Sequence, residues 1–290
     1  DVAGFGNITA QNVQTLGGSG DITLSTAAGN VALGQISAAG SFEAATQTGQ
    51  ISGLTGGSIF AAEGTNFAGP VASALPLTSN DITLITRQSG DVILNYTGSG
   101  PLTLRQVHVL DGSLIVNAPG DLIVLDARLL SNTGNHTVQL TAGGDVVISH
   151  LEAGDYAETP ERAAAIRLAR GMAADAPLTA LNNVSILAGG AIREAGNGDA
   201  GPDLIANRLT LQAGGSISDL ELAVNELTRA RSITGSISLT DLDSVGELSD
   251  GIQAIELAAP AGGIQLTAGG GIRGQRVNAG GTGAAVLLDA

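Results

Sequence analysis

Two acidic residues late in the chain have a spacing that suits acid–base chemistry. Asp241 and Asp243 are separated by one residue, so both lie on the same face if the segment is a strand. Glycoside hydrolysis needs two carboxyl groups about 5–10 Å apart. Such enzymes also line their clefts with aromatic or basic residues, whereas this chain has 2% aromatic residues and no Lys. We therefore predict no enzymatic activity and no catalytic residue, with a carbohydrate-active enzyme as an alternative.

The histidines do not form a metal-binding pattern. His108, His136 and His150 are widely spaced, and no His-x-x-x-His pair occurs. A zinc site would require them to converge in the fold, so we predict that they are solvent-facing strand residues. The chain has no Cys, which excludes disulfides, thiolate metal sites and a cysteine nucleophile.

Calcium is the cation for which the sequence offers candidate ligands. Residues 17–22, which include Asp21, resemble the nonapeptide of repeat-in-toxin proteins, as do residues 196–199, which end in Asp199. However, Asp21 follows Gly20 directly, and the copies do not stand in tandem. A carboxylate after glycine also accepts hydrogen bonds from nearby backbone N–H groups. We predict no cofactor, with Asp21 and Asp199 as calcium candidates and a calcium-dependent adhesive module as a second alternative.

The charge balance excludes two classes of partner. The chain of 290 residues has 12 basic residues, all Arg, against 27 acidic residues, which gives a formal charge of −15. Such a chain is repelled by nucleic acid and by anionic lipid surfaces. No apolar run approaches the roughly 20 residues of a membrane-spanning helix. We therefore expect neither nucleic-acid binding nor a membrane span.

A short unit recurs along the chain and predicts the fold. Each copy has a turn residue, often Gly followed by Asp, and then an apolar-x-apolar strand. Equivalent residues stand 20 positions apart, as in Ile22 and Phe42, and in Ile82, Leu102 and Leu122. This period predicts an all-β protein, a right-handed parallel β-helix of about 20 residues per coil with a narrow aliphatic interior. The 43 Gly residues would supply the corners.

An antiparallel β-sandwich is the competing fold. Turn signals every 8–12 residues fit a sandwich as well, but the 20-residue ladders and the scarcity of Asn-Gly and Asp-Gly hairpin turns favour the β-helix. Leu220, Ala223, Val224 and Leu227 fit a helical stripe, so this segment also has two readings, helix or strand.

A longer motif, Leu-Thr/Gln-Ala-Gly-Gly-x-Ile, predicts a strand, a glycine corner and a second strand. It occurs at residues 140–146, 187–194, 211–219 and 266–274. These units and residues 223–241 resemble the repeats of filamentous-haemagglutinin-like giant bacterial exoproteins, many of which are exported by two-partner secretion. The resemblance covers most of the chain and implies an extracellular, right-handed β-helix that forms a stalk or fibre. It also favours strands at residues 220–227.

Residues 152–180 break the repeat. Thr159, Pro160 and Gly171 have the order of an N-cap, a first helical residue and a residue just beyond a helix. They predict a short helix near 159–171, and one face of it would carry Ala165, Leu168, Ala169 and Met172. The alternation of residues 166–168 instead allows an irregular coil. Either way, we expect an insertion on the solenoid.

Together these observations predict that residues 1–290 form one elongated solenoid segment of a longer protein. The expected function is that of a non-catalytic structural or adhesive shaft, in an extracellular filament or adhesin at the bacterial cell surface, that mediates attachment or matrix assembly. The expected partners are neighbouring repeats of the same polypeptide or an end-to-end homopolymer, and a surface receptor or polysaccharide.

Overall fold

The computed structural model describes most of the chain. The described residues are 2–15, 19–69, 71, 75–86, 89–134, 136–155, 160–176, 178, 180–196, 201–242 and 251–290.

The protein is an all-parallel β-solenoid with about 11 turns of about 22 residues and one short helix. The predicted fold class is therefore confirmed, and the antiparallel sandwich is wrong. The turns are slightly longer than the expected 20 residues. Two compact units are present, Asp1–Ser131 with Gln139–Gly143, and Asn132–Val138 with Gly144–Ala290.

The strands of the first unit are short and end at turns. They are β1 (Val2–Gly4), β2 (Ile8–Gln14), β3 (Ile22–Thr26), β4 (Val31–Ala38), β5 (Phe42–Thr46), β6 (Ile51–Ala61), β7 (Thr65–Ala68), β8 (Leu75–Leu77), β9 (Asp81–Ile85), β10 (Val92–Tyr96), β11 (Leu102–Val109), β12 (Leu114–Ala118), β13 (Leu122–Val124) and β14 (Ala127–Leu129). Strand β15 (Thr137–Ala142) contributes residues to both units.

The register of the first unit confirms part of the predicted spacing. Ile22 pairs with Phe42, and Leu102 pairs with Leu122, as the 20-residue period predicts. Ile82 pairs with Leu104 and not with Leu102, so this turn is longer than predicted. Strand β11 is bulged just after Leu104, where its register against β9 shifts.

The interior of the first unit is less strictly aliphatic than the composition predicts. Phe42, Phe67 and Tyr96 are all buried. The rings of Phe42 and Phe67 meet edge to face, with centroids 6.0 Å apart. Phe42 pairs with Thr65, and its own strand neighbour Ala44 pairs with Phe67. Where β5 pairs with β7, the smaller Thr65 and Ala44 therefore face the rings and leave the space that an aromatic side chain needs.

The described residues of the second unit form one helix and eleven further strands. They are β16 (Val146–Ile148), β17 (Leu151–Glu152), α1 (Pro160–Arg170), β18 (Asn183–Ala188), β19 (Ile192–Glu194), β20 (Leu204–Ala213), β21 (Ile217–Ser232), β22 (Ile237–Asp241), β23 (Gly251–Ala259), β24 (Ile264–Ala268), β25 (Gly271–Ala279) and β26 (Val286–Asp289). Residues 220–227 lie in β21, so the strand reading is correct and the helical stripe is wrong.

Two copies of the Gly-Gly-x-Ile motif, which end in Ile192 and Ile217, belong to an interior isoleucine ladder in the second unit. Ile192, Ile217, Ile237 and Ile264 pair in succession, and all four are buried. The glycines before them stack at the corners, where a Cβ at position 214 would overlap the carbonyl oxygen of Gly189. A side chain cannot fit between successive corners, and this explains why the motif requires glycine there.

The predicted helix forms and ends at the predicted residue. It begins at Pro160; Thr159 lies outside the described residues. At its C-terminal end, Gly171 has a φ of +64° and its N–H bonds to the carbonyl of Leu168. The N–H of Met172 bonds to the carbonyl of Arg167, which completes a Schellman motif.

The apolar face predicted for this helix is the exposed one. Leu168 is 84% exposed, and Ala165, Ala169 and Met172 are exposed with it. The buried contact is made instead by Ala163 and Ile166, which pack against Leu178. In the part of the chain that the structure describes, no helix is long and apolar enough to cross a membrane.

Candidate functional site

A groove runs across several turns on the outer face of the first unit. Its floor consists of Ala3, Ser25, Ala45 and Ala68, which pair with one another in register on strands β1, β3, β5 and β7. Because their side chains are small, the sheet surface is indented by a depression of about 460 Å³. The strand period of two places these residues outside, while their neighbours face the core.

Larger side chains border this depression. Phe5 contributes to the lining and is 86% exposed, more than any other aromatic residue in the described ranges. Glu43 and Gln47 contribute a carboxylate and an amide. The depression therefore presents one aromatic ring beside groups that accept and donate hydrogen bonds.

A second depression of about 340 Å³ adjoins the first one at Glu43, which lines both. It also contains the side chains of Glu63, Asn66, Asp81 and Arg105. The guanidinium of Arg105 pairs with the Asp81 carboxylate through two nitrogens. We refer to the two depressions together as the outer-face groove.

A polar ladder follows the outer-face groove. Thr23, Glu43, Asn66, Thr83 and Gln106 pair in succession on β3, β5, β7, β9 and β11. Neighbouring parallel strands are about 4.8 Å apart, so a hydroxyl, carboxylate or amide recurs at that interval. The backbones of β5 and β7 are already paired on both sides. These two strands therefore present side chains, and not free backbone groups, to the groove.

The outer-face groove was missed from the sequence, although part of its signal is present there. The spacing of Ile22 and Phe42 implies that Thr23 and Glu43 stack on the outer face. The position of Phe5 and the longer step from Glu43 to Asn66 have no such periodic signal, so only the folded register brings these residues together.

The calcium candidate Asp21 has a structural role. Its Oδ1 accepts hydrogen bonds from the backbone N and the Oγ of Ser41, both at 2.8 Å. The hydrogen bond from the Ser41 backbone N–H, followed in size by the bond from the Ser41 hydroxyl, lowers the pKa of Asp21 below its ordinary value. The second candidate, Asp199, lies outside the described residues.

The bond from Asp21 to the next turn is one case of a recurring inter-turn cap. In each case a side-chain oxygen at a corner accepts the backbone N–H of the residue stacked on the next turn. The pairs, acceptor first, are Asn7 and Asn30, Asn30 and Gln50, Asp91 and Ser113, Asp145 and Ala191, and Asp203 and Glu221. The Gly-Asp unit of the repeat is therefore both a turn signal and a link between turns.

One member of the candidate carboxylate pair, Asp241, lies in the described part of the chain. Asp241 is the last residue of β22 and is only 4% exposed. It pairs in register with Leu222 and Ala268, so it belongs to an inward-facing row and not to the surface of a cleft. Asp243 lies outside the described residues.

His108 is a strand residue, as predicted, but its side chain is only 19% exposed and has charged neighbours, so the solvent-facing part of the prediction is wrong. On β11 its Nε2 lies 2.8 Å from Oδ2 of Asp126, whose Oδ1 accepts a bond from Nε of Arg128 at 2.7 Å. Burial raises the pKa of Asp126, but the bonds and charges of Arg128 and His108 outweigh burial and hold it below its ordinary value.

The other two histidines lie immediately before strands β15 and β17 and are half-buried, so the prediction of solvent-facing strand residues is wrong for both. His136 donates its backbone N–H to Oδ1 of Asn182. His150 Nε2 lies 3.4 Å from Glu152 Oε2. Within the described ranges, no three His, Asp or Glu side chains are grouped so that they could hold a metal ion.

No family model, curated protein or solved structure matches the chain. The resemblance to filamentous-haemagglutinin-like proteins therefore stays a prediction beyond the solenoid itself. The solenoid is compatible with a repeat shaft of that kind.

Proposed function

We propose that this chain is a structural and adhesive shaft segment of an extracellular bacterial filament or adhesin, and that it acts without catalysis. The observation that carries the proposal is the continuous linkage of successive turns. Backbone hydrogen bonds connect each strand with its equivalent on the next turn, and the inter-turn caps add side-chain bonds at the corners. Repeat architectures of this kind gain stability turn by turn, which suits a long load-bearing element.

The proposed partners are further turns of the same polypeptide or a second copy stacked end to end. Strand β26 supports this proposal because Val286 and Leu288 are 48% and 42% exposed. They extend the interior ladder, since Val286 pairs with Ile264 and Leu288 with Leu266, both of which are buried. An added turn or copy would cover these apolar side chains.

Immunoelectron microscopy of the source cells tests the proposed location and shape. Antibodies raised against residues 1–290 are expected to label thin filaments on intact cells. Cells lacking the gene provide the control. Label that appears only after permeabilisation would overturn the extracellular proposal, and surface label on compact particles would overturn the shaft proposal.

Attachment tests the adhesive half of the function separately. Cells lacking the gene should adhere less to the surface or matrix that wild-type cells colonise, and the gene supplied in trans should restore adhesion. Normal adhesion without the protein would contradict an adhesive role, while the labelled filaments would still support the structural one.

A further inference from the structure

We propose that the outer-face groove binds an extended glycan that carries no negative charge. The inference rests on the adhesive half of the proposed function and does not depend on the structural half. It assigns the binding site to Phe5, Glu43, Gln47 and Asn66, above the floor of small residues around Ala45.

The aromatic ring and the small floor residues suit a sugar ring. A pyranose has an apolar C–H face, which packs against an aromatic ring, and hydroxyl groups along its edges, which form hydrogen bonds. Phe5 is 86% exposed, although burial of its ring would be favourable. Ala45 and Ala68 leave room for a flat ring to approach the sheet. Phe5 therefore serves as the stacking surface at one end of the groove.

The polar ladder suits a polymer with a repeating unit. Thr23, Glu43, Asn66 and Thr83 stand on four successive strands of one face. At about 4.8 Å per strand, the ladder spans several sugar units. Carboxylate oxygens accept bonds from sugar hydroxyls, and amides both donate and accept them. An extended glycan uses this regularity, whereas a compact ligand contacts only one or two rungs.

Charge determines which glycans fit. Glu43 lines both depressions and Glu63 lines the second one, while Arg105 is engaged with Asp81. The chain as a whole has a formal charge of −15. Uronate and sulfate groups would meet like charge both in the groove and around it, and such juxtaposition opposes binding. Uncharged sugars avoid this repulsion.

An extended peptide is the weaker fit. Peptides that bind sheets commonly add a strand to an exposed edge, but β5 and β7 are paired on both sides. A basic peptide would have only charge attraction to Glu43 and Glu63, and this attraction is screened by salt at an exposed site.

Ligand-observed saturation-transfer NMR with the full chain tests the proposal. The probes are cellohexaose and the N-acetylglucosamine hexamer as neutral glycans, the galacturonic acid hexamer as an anionic glycan, and hexalysine as a peptide. We expect at least one neutral hexamer to bind with a Kd on the order of 10⁻⁴–10⁻³ M, as befits a shallow site. The galacturonic acid hexamer should give no signal.

Two substitutions localise the binding. Phe5→Ala and Glu43→Gln should each weaken binding of that neutral hexamer by about fivefold or more. Phe60→Ala and Glu161→Gln are the matched controls, because Phe60 is also exposed and neither residue lines the groove. The controls should bind as the wild-type chain does. Circular dichroism melts check that every variant is folded.

Four outcomes overturn the proposal. The first two are no signal from either neutral hexamer, and binding of the galacturonic acid hexamer as strong as that of the neutral ones. The others are binding that the Phe5 and Glu43 substitutions leave unchanged, and a hexalysine signal alone that Glu43→Gln removes. None of them affects filament labelling on cells, so failure of the glycan site is distinguishable from failure of the shaft.

Discussion

Asp21 accepts two hydrogen bonds from Ser41 through a single oxygen, at 2.8 Å from both the backbone N and Oγ. The two residues stand 20 positions apart and occupy equivalent corners of successive turns. The carboxylate just before β3 therefore fixes the residue just before β5, the strand that pairs with β3 on the next turn.

The inter-turn cap predicts that protection of the Ser41 amide depends on an acceptor oxygen at residue 21 more than on the negative charge there. Asp21→Ala should increase the hydrogen-exchange rate of the Ser41 amide, because that N–H loses its acceptor. Asp21→Asn should largely preserve protection, since Asn30 caps Gln50 in the same way. Equal exchange rates in the Ala variant and the wild-type chain would contradict the cap. If Asp21 instead bound calcium, a chelator would lower the melting temperature of the wild-type chain.

The aromatic pair in the first unit predicts that truncation of Phe42 lowers the free energy of unfolding substantially. Phe42 is fully buried and meets Phe67 edge to face. Phe42→Ala should lower the free energy of unfolding by about 3–5 kcal/mol. Phe60→Ala, at a position that is 44% exposed, should cost less than about 1 kcal/mol. Denaturant melts of both variants provide the comparison, and similar losses would mean that the interior is not packed around Phe42.

The corner glycines predict a sharp contrast between two alanine substitutions. A Cβ at Gly112 would overlap the carbonyl of Gly90, whereas a Cβ at Gly120 would lie 3.6 Å from the carbonyl oxygen of Gly100, an ordinary contact. Gly112→Ala should destabilise the chain by about 1–3 kcal/mol, the typical cost of overpacking. Gly120→Ala should have little effect. Thermal melts that rank the two variants in the opposite order would refute the stacked-corner geometry.

The contacts of Asp126 predict a pH-dependent contribution to stability. Its folded pKa lies below the ordinary value of 3.8 because Arg128 and His108 stabilise the carboxylate. A depressed carboxyl pKa adds stability above the unfolded pKa, and this stability is lost as the pH falls through the folded pKa. Asp126→Asn should therefore cost about 0.5–1 kcal/mol at pH 7, because solvent screens these partly exposed charges, and progressively less below about pH 4. A difference from the wild-type chain that stays constant between pH 7 and pH 3 would contradict this assignment.

The packing of α1 predicts that Leu178 stabilises the helix and that Leu168 does not. Leu178 is fully buried against Ala163, whereas Leu168 is 84% exposed. Leu178→Ala should speed hydrogen exchange throughout α1, because the helix loses its packing surface. Leu168→Ser should change exchange only locally. Loss of protection in the Leu168 variant alone would mean that the helix packs through its other face.

The sequence by itself determined the solenoid and its glycine corners, and it predicted a helix near 159–171 with an irregular coil as the alternative. These features follow from local signals, namely a period of two within strands, a near-20-residue repeat between them, and a Pro-to-Gly frame around the helix. Two rungs of the Ile192 to Ile264 ladder, Ile192 and Ile217, carry a Gly-Gly-x-Ile signal, whereas Ile237 follows Gly-Ser and Ile264 follows Gly-Gly directly.

The tertiary structure alone decided which side chains meet across turns of unequal length. Ile82 pairs with Leu104 because this turn has 22 residues and not 20, and Phe42 and Phe67 share the interior because Thr65 and Ala44 face them where β5 pairs with β7. The exposed face of α1 was set by Leu178, a residue beyond the helix. The outer-face groove likewise depends on residues from Ala3 to Arg105 that come together only through inter-turn register. Local propensity fixes each strand, but contacts between turns depend on the length of every intervening corner, and a repeat period does not specify those lengths.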